Sequence, residues 1–184
     1  MDLVKFKSLL KLGIADIGGT AITAVFWFFL ASMIKPSEYG EISYYIAIAA
    51  LAAAFVGIGT TNTISVYVSK NIKIESTLYF LSLVLSIVAS FIIIITFYKI
   101  DVVFLIFGFV IHALATGEII GKKAFFTYTK FTLIQKIGTL VLGLLFYWIM
   151  GVEGILYALA ISYAIFSIII IKQFRNSKVD FKLL

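Results

Sequence analysis

The chain has 184 residues, of which 62% are hydrophobic and 13% are charged, whereas typical soluble domains contain about 45–50% and about 25%. A soluble fold of this size buries only about 70% of its surface, so it could not hide this much apolar area from water. The chain has no cysteine and one histidine, which excludes disulfides, thiolate metal sites and a histidine-rich metal centre. The composition predicts an all-α integral membrane protein.

Six stretches without charged residues, 16 to 28 residues long, follow one another along the chain. Crossing about 30 Å of hydrocarbon takes roughly 20 helical residues, so the two shortest stretches are too short. Their helices must extend over Glu118 and Lys136 to cross the membrane. We predict a single domain over residues 1–184, a six-transmembrane-helix bundle with spans at 12–34, 42–66, 77–98, 102–121, 131–150 and 154–172.

The segments around these spans carry signals of their own. The first span follows a basic segment but is too long for a signal-peptide core, so we interpret it as a retained helix. Pro36 and Gly40 predict a turn before the second span. Residues 121–131 mix lysines with aromatic side chains, which favours an interfacial helix on the inner leaflet. A ligand-binding loop is the alternative interpretation of that segment.

Lysine and arginine predict the orientation of the bundle. With the N-terminus in the cytoplasm, 13 of the 15 lysines and arginines fall on the cytoplasmic side, and only Lys35 and Lys99 lie outside. This bias predicts a multi-pass protein of the cell membrane with both termini cytoplasmic. Membrane lipids are the expected partners of the basic side. A nucleic-acid partner is disfavoured, because the charges are dispersed over four separate segments.

Small residues spaced four apart predict where helices pack closely. Such faces allow the backbones of two helices to approach each other in lipid. On span two the face comprises Ala49, Ala53, Gly57 and Thr61, and on span four it comprises Ala113, Gly117 and Gly121.

Motifs for nucleotide binding and acyl transfer are not matched. Residues 117–123 approach the phosphate-binding loop G-x-x-x-x-G-K-[ST], but the string is one residue short and ends in lysine. No G-x-S-x-G elbow is present in the sequence. We predict a protein that is not an enzyme and that uses no metal and no cofactor.

Ionisable residues near the cytoplasmic ends of the spans have two interpretations. Charges inside a membrane usually face a partner or the bundle interior. Glu118 and Lys122 have the favourable i,i+4 order for an ion pair, and Lys136 can pair with Asp16 or extend towards water. The alternative is a polar vestibule open to the cytoplasm. Its candidate polar residues are Asp16, Asn62, His112 and Glu118.

His112 lies near the middle of span four and is itself ambiguous. One interpretation is a neutral imidazole that is hydrogen-bonded to a neighbouring backbone or hydroxyl group. The other is a functional histidine that faces a lumen.

A family resemblance goes further than composition. The stretch FLASMIKPSEYGEISYYIAIAALAAAFVGIGTTNTISVYVSKN resembles the front of polysaccharide-biosynthesis flippases, whose superfamily also holds the multidrug and toxin extrusion transporters. The likeness rests on a Pro-Glu-Tyr-Gly turn within residues 36–40 and on a Gly-x-Gly step at Gly57 and Gly59 that leads into a short polar helix. Gly151 and Gly154 resemble the family's turn between spans five and six.

The resemblance implies a flippase that moves lipid-linked oligosaccharide from the inner to the outer leaflet. Members have two six-helix lobes around a cavity, whereas this chain has six spans. The expected partner is therefore a second six-helix lobe, either another copy or a separate chain. Lys136, Lys122 and Lys123 become candidate contacts to the substrate phosphate, since lysine is a suitable point charge for phosphate.

Two further functions are open at this stage. The first is ion-coupled export of small cationic or amphipathic molecules, which acidic residues such as Asp16 and Glu118 would favour. The second is a non-transporting membrane scaffold or a fragment, in which polar residues pair internally and leave no cavity.

The orientation can be tested by cysteine labelling, because the chain is naturally free of cysteine. A Ser177→Cys variant should react only with reagents that reach the cytoplasm. Labelling of this variant exclusively by a membrane-impermeant reagent added outside the cell would reverse the predicted topology.

Overall fold

The computed structural model describes residues 3–176, with side-chain surroundings for Gly13 and for residues 16–175. This part of the chain is almost entirely helical, and six of its segments are long and apolar enough to cross a membrane. The predicted all-α six-helix bundle is therefore confirmed. Ser177 lies outside the described residues, but Ser69, exposed at the corresponding end of the bundle, offers an equivalent labelling position.

The described residues form eight helices. The helices are α1 (Leu3–Met33), α2 (Pro36–Val56), α3 (Thr60–Ser69), α4 (Glu75–Phe97), α5 (Ile100–Gly121), α6 (Phe125–Met150), α7 (Val152–Ala164) and α8 (Ser167–Asn176). Span two is α2, which the short helix α3 follows, and α7 with α8 forms span six. We call the end with Lys35, Lys99 and Gly151 the Lys35 end, and the opposite end the Lys122 end.

The start of α2 corrects the predicted turn at Pro36 and Gly40. Pro36 is the first residue of the helix and Gly40 lies inside it, so span two begins six residues before its predicted start at 42. Proline suits this position because it has no N–H to leave unsatisfied and its φ is already helical. Glu38 completes the helix start, since its Oε2 accepts the backbone N–H of Lys35 at 3.0 Å.

Span two is not the single helix predicted over 42–66. Helix α2 ends at Val56, and α3 begins at Thr60 after Gly59 adopts a φ of +70°. Glycine reaches this left-handed region without the steric cost that a Cβ would impose. The break falls at the Gly-x-Gly step that the family resemblance implied.

The link between spans four and five is also shorter than predicted. Helix α6 begins at Phe125, so the connection is only Lys122–Ala124 and most of the predicted interfacial segment is the first turns of α6. The same holds between spans five and six, where Gly151 alone separates α6 from α7. Gly151 has φ +69° and ψ −148°, a combination that is essentially restricted to glycine.

Span six contains a break that the sequence did not predict. Between α7 and α8 the backbone N–H of Phe166 bonds to the carbonyl of Tyr163 at 3.2 Å, and that of Ile169 bonds to the carbonyl of Phe166 at 3.1 Å. These are i→i−3 bonds, which tighten the helix locally. Phe166 is fully buried at the break, with its ring beside that of His112.

Helix α5 lies at the centre of the bundle. It packs against α2, α3, α4, α7 and α8, whereas α1 packs mainly along α6. The predicted small-residue faces meet in part, because Gly117 of α5 lies against the backbone of Thr61, and Gly121 lies against Ser65 and Val68 of α3. Close helix packing at these positions is thus confirmed. A further small face, Ser82, Ser86 and Ser90 of α4, is buried as well.

We expect Gly117→Ala to destabilise the bundle. A Cβ at this position would lie 2.7 Å from the carbonyl oxygen of Thr61, so α3 must move away, at a typical overpacking cost of about 1–3 kcal/mol. Thermal unfolding in mild detergent measures the effect. Gly40→Ala is the matched control, since its Cβ would meet no neighbouring atom within 4 Å. Equal unfolding temperatures for the two variants would contradict the packing assigned to α5.

Candidate functional site

A polar cavity of about 240 Å³ lies between α1, α5, α6 and α7. Its charged residues are Asp16 of α1 and Lys136 of α6, and the ring of His112 on α5 borders it. The structure therefore brings together three of the seven candidate site residues. The other four, Asn62, Glu118, Lys122 and Lys123, do not line it.

Residues of three helices that line this cavity lie at similar distances from the Lys35 end of the bundle. At 1.5 Å per residue, Lys136 lies about 21 Å from the end of α6 at Met150, and His112 lies about 18 Å from the start of α5 at Ile100. Asp16 lies about 25 Å from the end of α1 at Met33. In a hydrocarbon layer of about 30 Å that begins at these helix ends, the cavity would lie in the half nearer the Lys122 end.

Lys136 reaches the cavity across a glycine. Its Cγ lies 3.4 Å from the point that a Cβ on Gly19 would occupy, so the buried Gly19 leaves room for the lysine stem. Longer side chains at position 19 would meet that stem. Gly19 thereby lets the first span approach span five while the ammonium group extends into polar space.

The predicted ion pair between Lys136 and Asp16 is not formed. Both side chains line the cavity and the carboxylate attracts the ammonium, but the ion pairs among the described residues involve only Lys99 and Lys122. Asp16 instead accepts a long hydrogen bond of 3.4 Å from the hydroxyl of Tyr128. Lys136 packs along Gly19 of α1, whereas Asp16 lies three residues earlier on that helix and is bonded to Tyr128.

A hydrogen-bonded chain supports the α6 wall. Gln135 Nε2 donates to Thr139 Oγ1 at 3.0 Å, and Thr139 bonds to Ser162 of α7 at 2.8 Å. The Ser162 hydroxyl donates to the carbonyl of Leu159 at 2.8 Å, so it accepts from Thr139. All three side chains are buried, and the chain fixes α6 against α7 directly beside Lys136.

Thr132 adds an incompletely satisfied hydroxyl to the cavity. The residue is 7% exposed, and its Oγ1 is buried without a partner at hydrogen-bonding geometry, although the hydroxyl of Tyr128 lies nearby. Buried polar groups are usually hydrogen-bonded, because leaving one unsatisfied costs free energy. Thr132 therefore offers a donor or acceptor to a ligand or water in the cavity.

His112 is held by aromatic rings. Its ring centroid lies 4.6 Å from that of Phe166 and 5.2 Å from that of Tyr163, with both pairs close to perpendicular. Within the described part of the chain we find no hydrogen bond from the imidazole, so the predicted bond to a neighbouring backbone or hydroxyl group is wrong. The ring instead separates the polar cavity from a neighbouring groove.

This second groove is apolar and lies on the side of α2. It is lined by His112 and Tyr163, which it shares with the polar cavity, and by Ala50, Ala53 and Gly57. Ala53 and Gly57 belong to the small-residue face predicted for span two. Part of that face therefore borders open space instead of another helix.

Glu118 and Lys122 form the ion pair that their i,i+4 spacing predicted. Glu118 is buried, and the fully buried Tyr79 of α4 also donates a hydrogen bond to it. Lys122 additionally lies 3.5 Å from Gln173 of α8. This cluster joins α4, α5 and α8 at the Lys122 end, away from the residues that surround Lys136.

Lys123 and Asn62 are both exposed and lie outside the cavity. Lys123 sits in the short link before α6 with a φ of 54°. Asn62 lies in the first turn of α3, whose buried side chains are Ile64 and Val68. Neither residue is positioned to contact a ligand beside Lys136.

At the Lys35 end, Lys99 connects three spans. Its Nζ lies 3.6 Å from Glu41 of α2, 3.6 Å from Glu153 of α7 and 5.2 Å from the ring centre of Tyr45. Partial burial by itself would lower the pKa of Lys99, but attraction by Asp101, Glu153 and Glu41 outweighs it and raises the pKa. The polar cavity lies away from this cluster, in the other half of the bundle.

Several cavity residues were missed from the sequence, although one signal was present. Span five carries polar side chains at helical spacing within an otherwise apolar run, namely Tyr128, Thr132, Gln135, Lys136 and Thr139. Such a stripe marks one polar face of a helix. The contribution of Gly19 had no comparable signal, because it depends on which helix packs against α1.

Comparison with protein-family models, with curated proteins and with solved structures finds no match for this chain.

We expect Lys122→Gln to lower stability, since the variant leaves the buried Glu118 carboxylate without its cation. Loss of a partner for a buried polar group typically costs about 1–3 kcal/mol. The double variant Glu118→Gln/Lys122→Gln should recover part of this loss, because no uncompensated charge remains.

The measurement is the thermal unfolding midpoint in detergent. Lys123→Gln is the control, as it removes the neighbouring exposed charge and should leave the midpoint unchanged. A Lys122→Gln variant as stable as Lys123→Gln would show that the ion pair has no structural role.

Proposed function

We propose that this chain is one lobe of a membrane transporter for lipid-linked oligosaccharide, with Lys136 as the contact to the substrate phosphate. The observation that carries the proposal is an ammonium group on a helix long and apolar enough to span a membrane, which lines a polar cavity without an ion pair among the described residues. Ionisable groups at such depth are costly and typically mark substrate pathways. The resemblance of residues 29–71 to flippases supplies the substrate class.

Of the three lysines predicted to contact the substrate phosphate, only Lys136 lines the cavity. Lys122 is committed to Glu118, and Lys123 is exposed at the helix link, so Lys136 remains as the cation of the cavity. Thr20, Thr132 and Gln135 line the same space and offer hydroxyl and amide groups to a sugar. The backbone carbonyl of Asp16 already accepts from Thr20 at 2.7 Å, which leaves the Thr20 oxygen as an acceptor.

We assign the Lys122 end to the cytoplasm, on the basis of the lysine and arginine distribution. The cavity then lies in the inner half of the membrane, where a substrate from the inner leaflet would enter. The Lys99 cluster joins spans two, four and six on the other side, which supports a lobe arranged to receive substrate from the cytoplasm. A second six-helix lobe would complete the pathway.

The two other functions have weaker support. A scaffold would pair its polar residues internally, whereas among the described residues Lys136 forms no ion pair and the Thr132 hydroxyl has no partner at hydrogen-bonding geometry. An exporter of cations would benefit from two acidic cavity residues, whereas Glu118 is bonded to Lys122 and Tyr79 outside the cavity. Only Asp16 of the two candidates lines the cavity.

We expect Lys136→Gln to reduce glycan export by about tenfold or more, because a hydrogen bond to a charged group contributes about 1.5–3 kcal/mol. The amount of folded protein should stay near normal, since Lys136 has no ion-pair partner to leave behind. The measurement is surface glycan in cells whose only copy of the gene is the variant.

Lys130→Gln is the matched control, with the same charge removed from an exposed position of the same helix. It should export normally. Adding Asp16→Asn to Lys136→Gln should not restore export. Normal export by Lys136→Gln at unchanged protein level would sink the proposed function of the lysine.

A further inference from the structure

Two of the described residues that line the cavity carry opposite formal charges, and these charges do not meet. Lys136 contributes a positive charge and Asp16 a negative one, and no ion pair joins them in the described structure. Inside a membrane, direct pairing would be the least costly arrangement for both groups. The space between them is therefore suited to a ligand that carries both charges itself.

A purely anionic ligand fits this cavity poorly. A phosphate bound to Lys136 would also face the Asp16 carboxylate, and like charges in a medium of low dielectric repel each other. A positive group on the same ligand removes this conflict and gains a partner. Asp16 thus discriminates against ligands with only negative charge, a repulsive element typical of specific sites.

The size of the cavity limits what can bind. Its volume of about 240 Å³ is below the range of about 300–1,000 Å³ that holds drug-sized ligands. It can accommodate a small head group but not a whole oligosaccharide. The unpartnered hydroxyl of the almost fully buried Thr132 also borders this space, so the site retains hydrogen-bonding capacity for an uncharged part of the ligand.

We propose that the cavity binds a zwitterionic head group in which a phosphate contacts Lys136 and a nearby primary ammonium contacts Asp16. This inference rests on the proposed function and specifies the chemical class that the same site takes. A phosphoethanolamine lipid and an amino-sugar phosphate share this chemistry. An apolar groove that shares His112 and Tyr163 with the cavity lies next to it.

The test compares lipids that differ only in the head group. Purified full-length protein in detergent is titrated with phosphatidylethanolamine or phosphatidylglycerol of identical chains, and bound lipid is measured by native mass spectrometry. We expect phosphatidylethanolamine to bind about tenfold more tightly, the factor expected from one additional charge-assisted contact. Equal affinities of the wild-type protein for the two lipids would overturn the proposal.

Variants test the phosphate contact to Lys136 and the ammonium contact to Asp16 separately. Asp16→Asn should abolish or reverse the preference by strengthening phosphatidylglycerol binding, whereas Asp16→Glu should retain it. Lys136→Gln should weaken both lipids, and Lys130→Gln should change neither. If folded Asp16→Asn protein still prefers phosphatidylethanolamine to the wild-type extent, the proposal is overturned. Asp16→Glu is the folding control, because a preference kept by this variant shows that its loss in Asp16→Asn reflects the missing charge and not misfolding.

Soluble competitors identify the source of the head group. Displacement of phosphatidylethanolamine by glucosamine 1-phosphate but not by glucose 1-phosphate supports an amino-sugar carrier. Displacement by phosphoethanolamine alone supports a lipid head group. Equal displacement by glucosamine 1-phosphate and glucose 1-phosphate would contradict a role for the ammonium.

The experiments distinguish failure of the zwitterion site from failure of the proposed transport function. If glycan export proves independent of Lys136 while the lipid preference depends on Asp16, the transport function fails and the zwitterion site stands. If export depends on Lys136 but the wild-type protein shows no head-group preference, only the present inference fails.

Discussion

The bundle depends on backbone contacts around α5, because lipid gives apolar helices no hydrophobic reason to associate. Van der Waals packing must replace that driving force, and it requires small residues where helices cross. Gly117 and Gly121 bring α3 against α5, and Gly108 brings α7 against the same helix. The rest of the architecture follows from this centre, since α2, α4, α6 and α8 pack on it too.

The same solvent explains why the cavity is distinctive. Some polar side chains in the spans are satisfied by neighbours, as Glu118 is by Lys122 and Tyr79 and Gln135 is by Thr139. Buried oxygens without a hydrogen-bond partner occur at Glu75, Ser90, Thr116, Thr129 and Thr132. Against this background, Lys136 and Thr132 lack such partners beside a space large enough for a small ligand. Stability alone would favour closing that space or pairing its charges, so its persistence in the fold is an argument for binding.

The number of spans and their helical class could be predicted, because charge-free stretches close to the length of a span recur six times along the sequence. The Glu118–Lys122 pair was also predictable, since both partners lie on one helix. Contacts between helices could not be predicted. Asp16 and Lys136 lie at similar depths along their helices, but the distance between them depends on how α1 packs against α6. Pro36 was assigned to a turn because proline occurs both in turns and at helix starts. The break at Phe166 was not predicted because no glycine or proline lies next to it in the sequence.

The packing of α1 has a consequence for the order of synthesis. Its main partner is α6, where the ring of Phe26 lies over Gly143, yet α6 is completed only about 120 residues after α1, on the order of ten seconds of translation. During that interval the first helix must stay in the bilayer on its own hydrophobicity and flanking lysines. The wall that carries Asp16 is thus synthesised well before the helix that becomes its main neighbour.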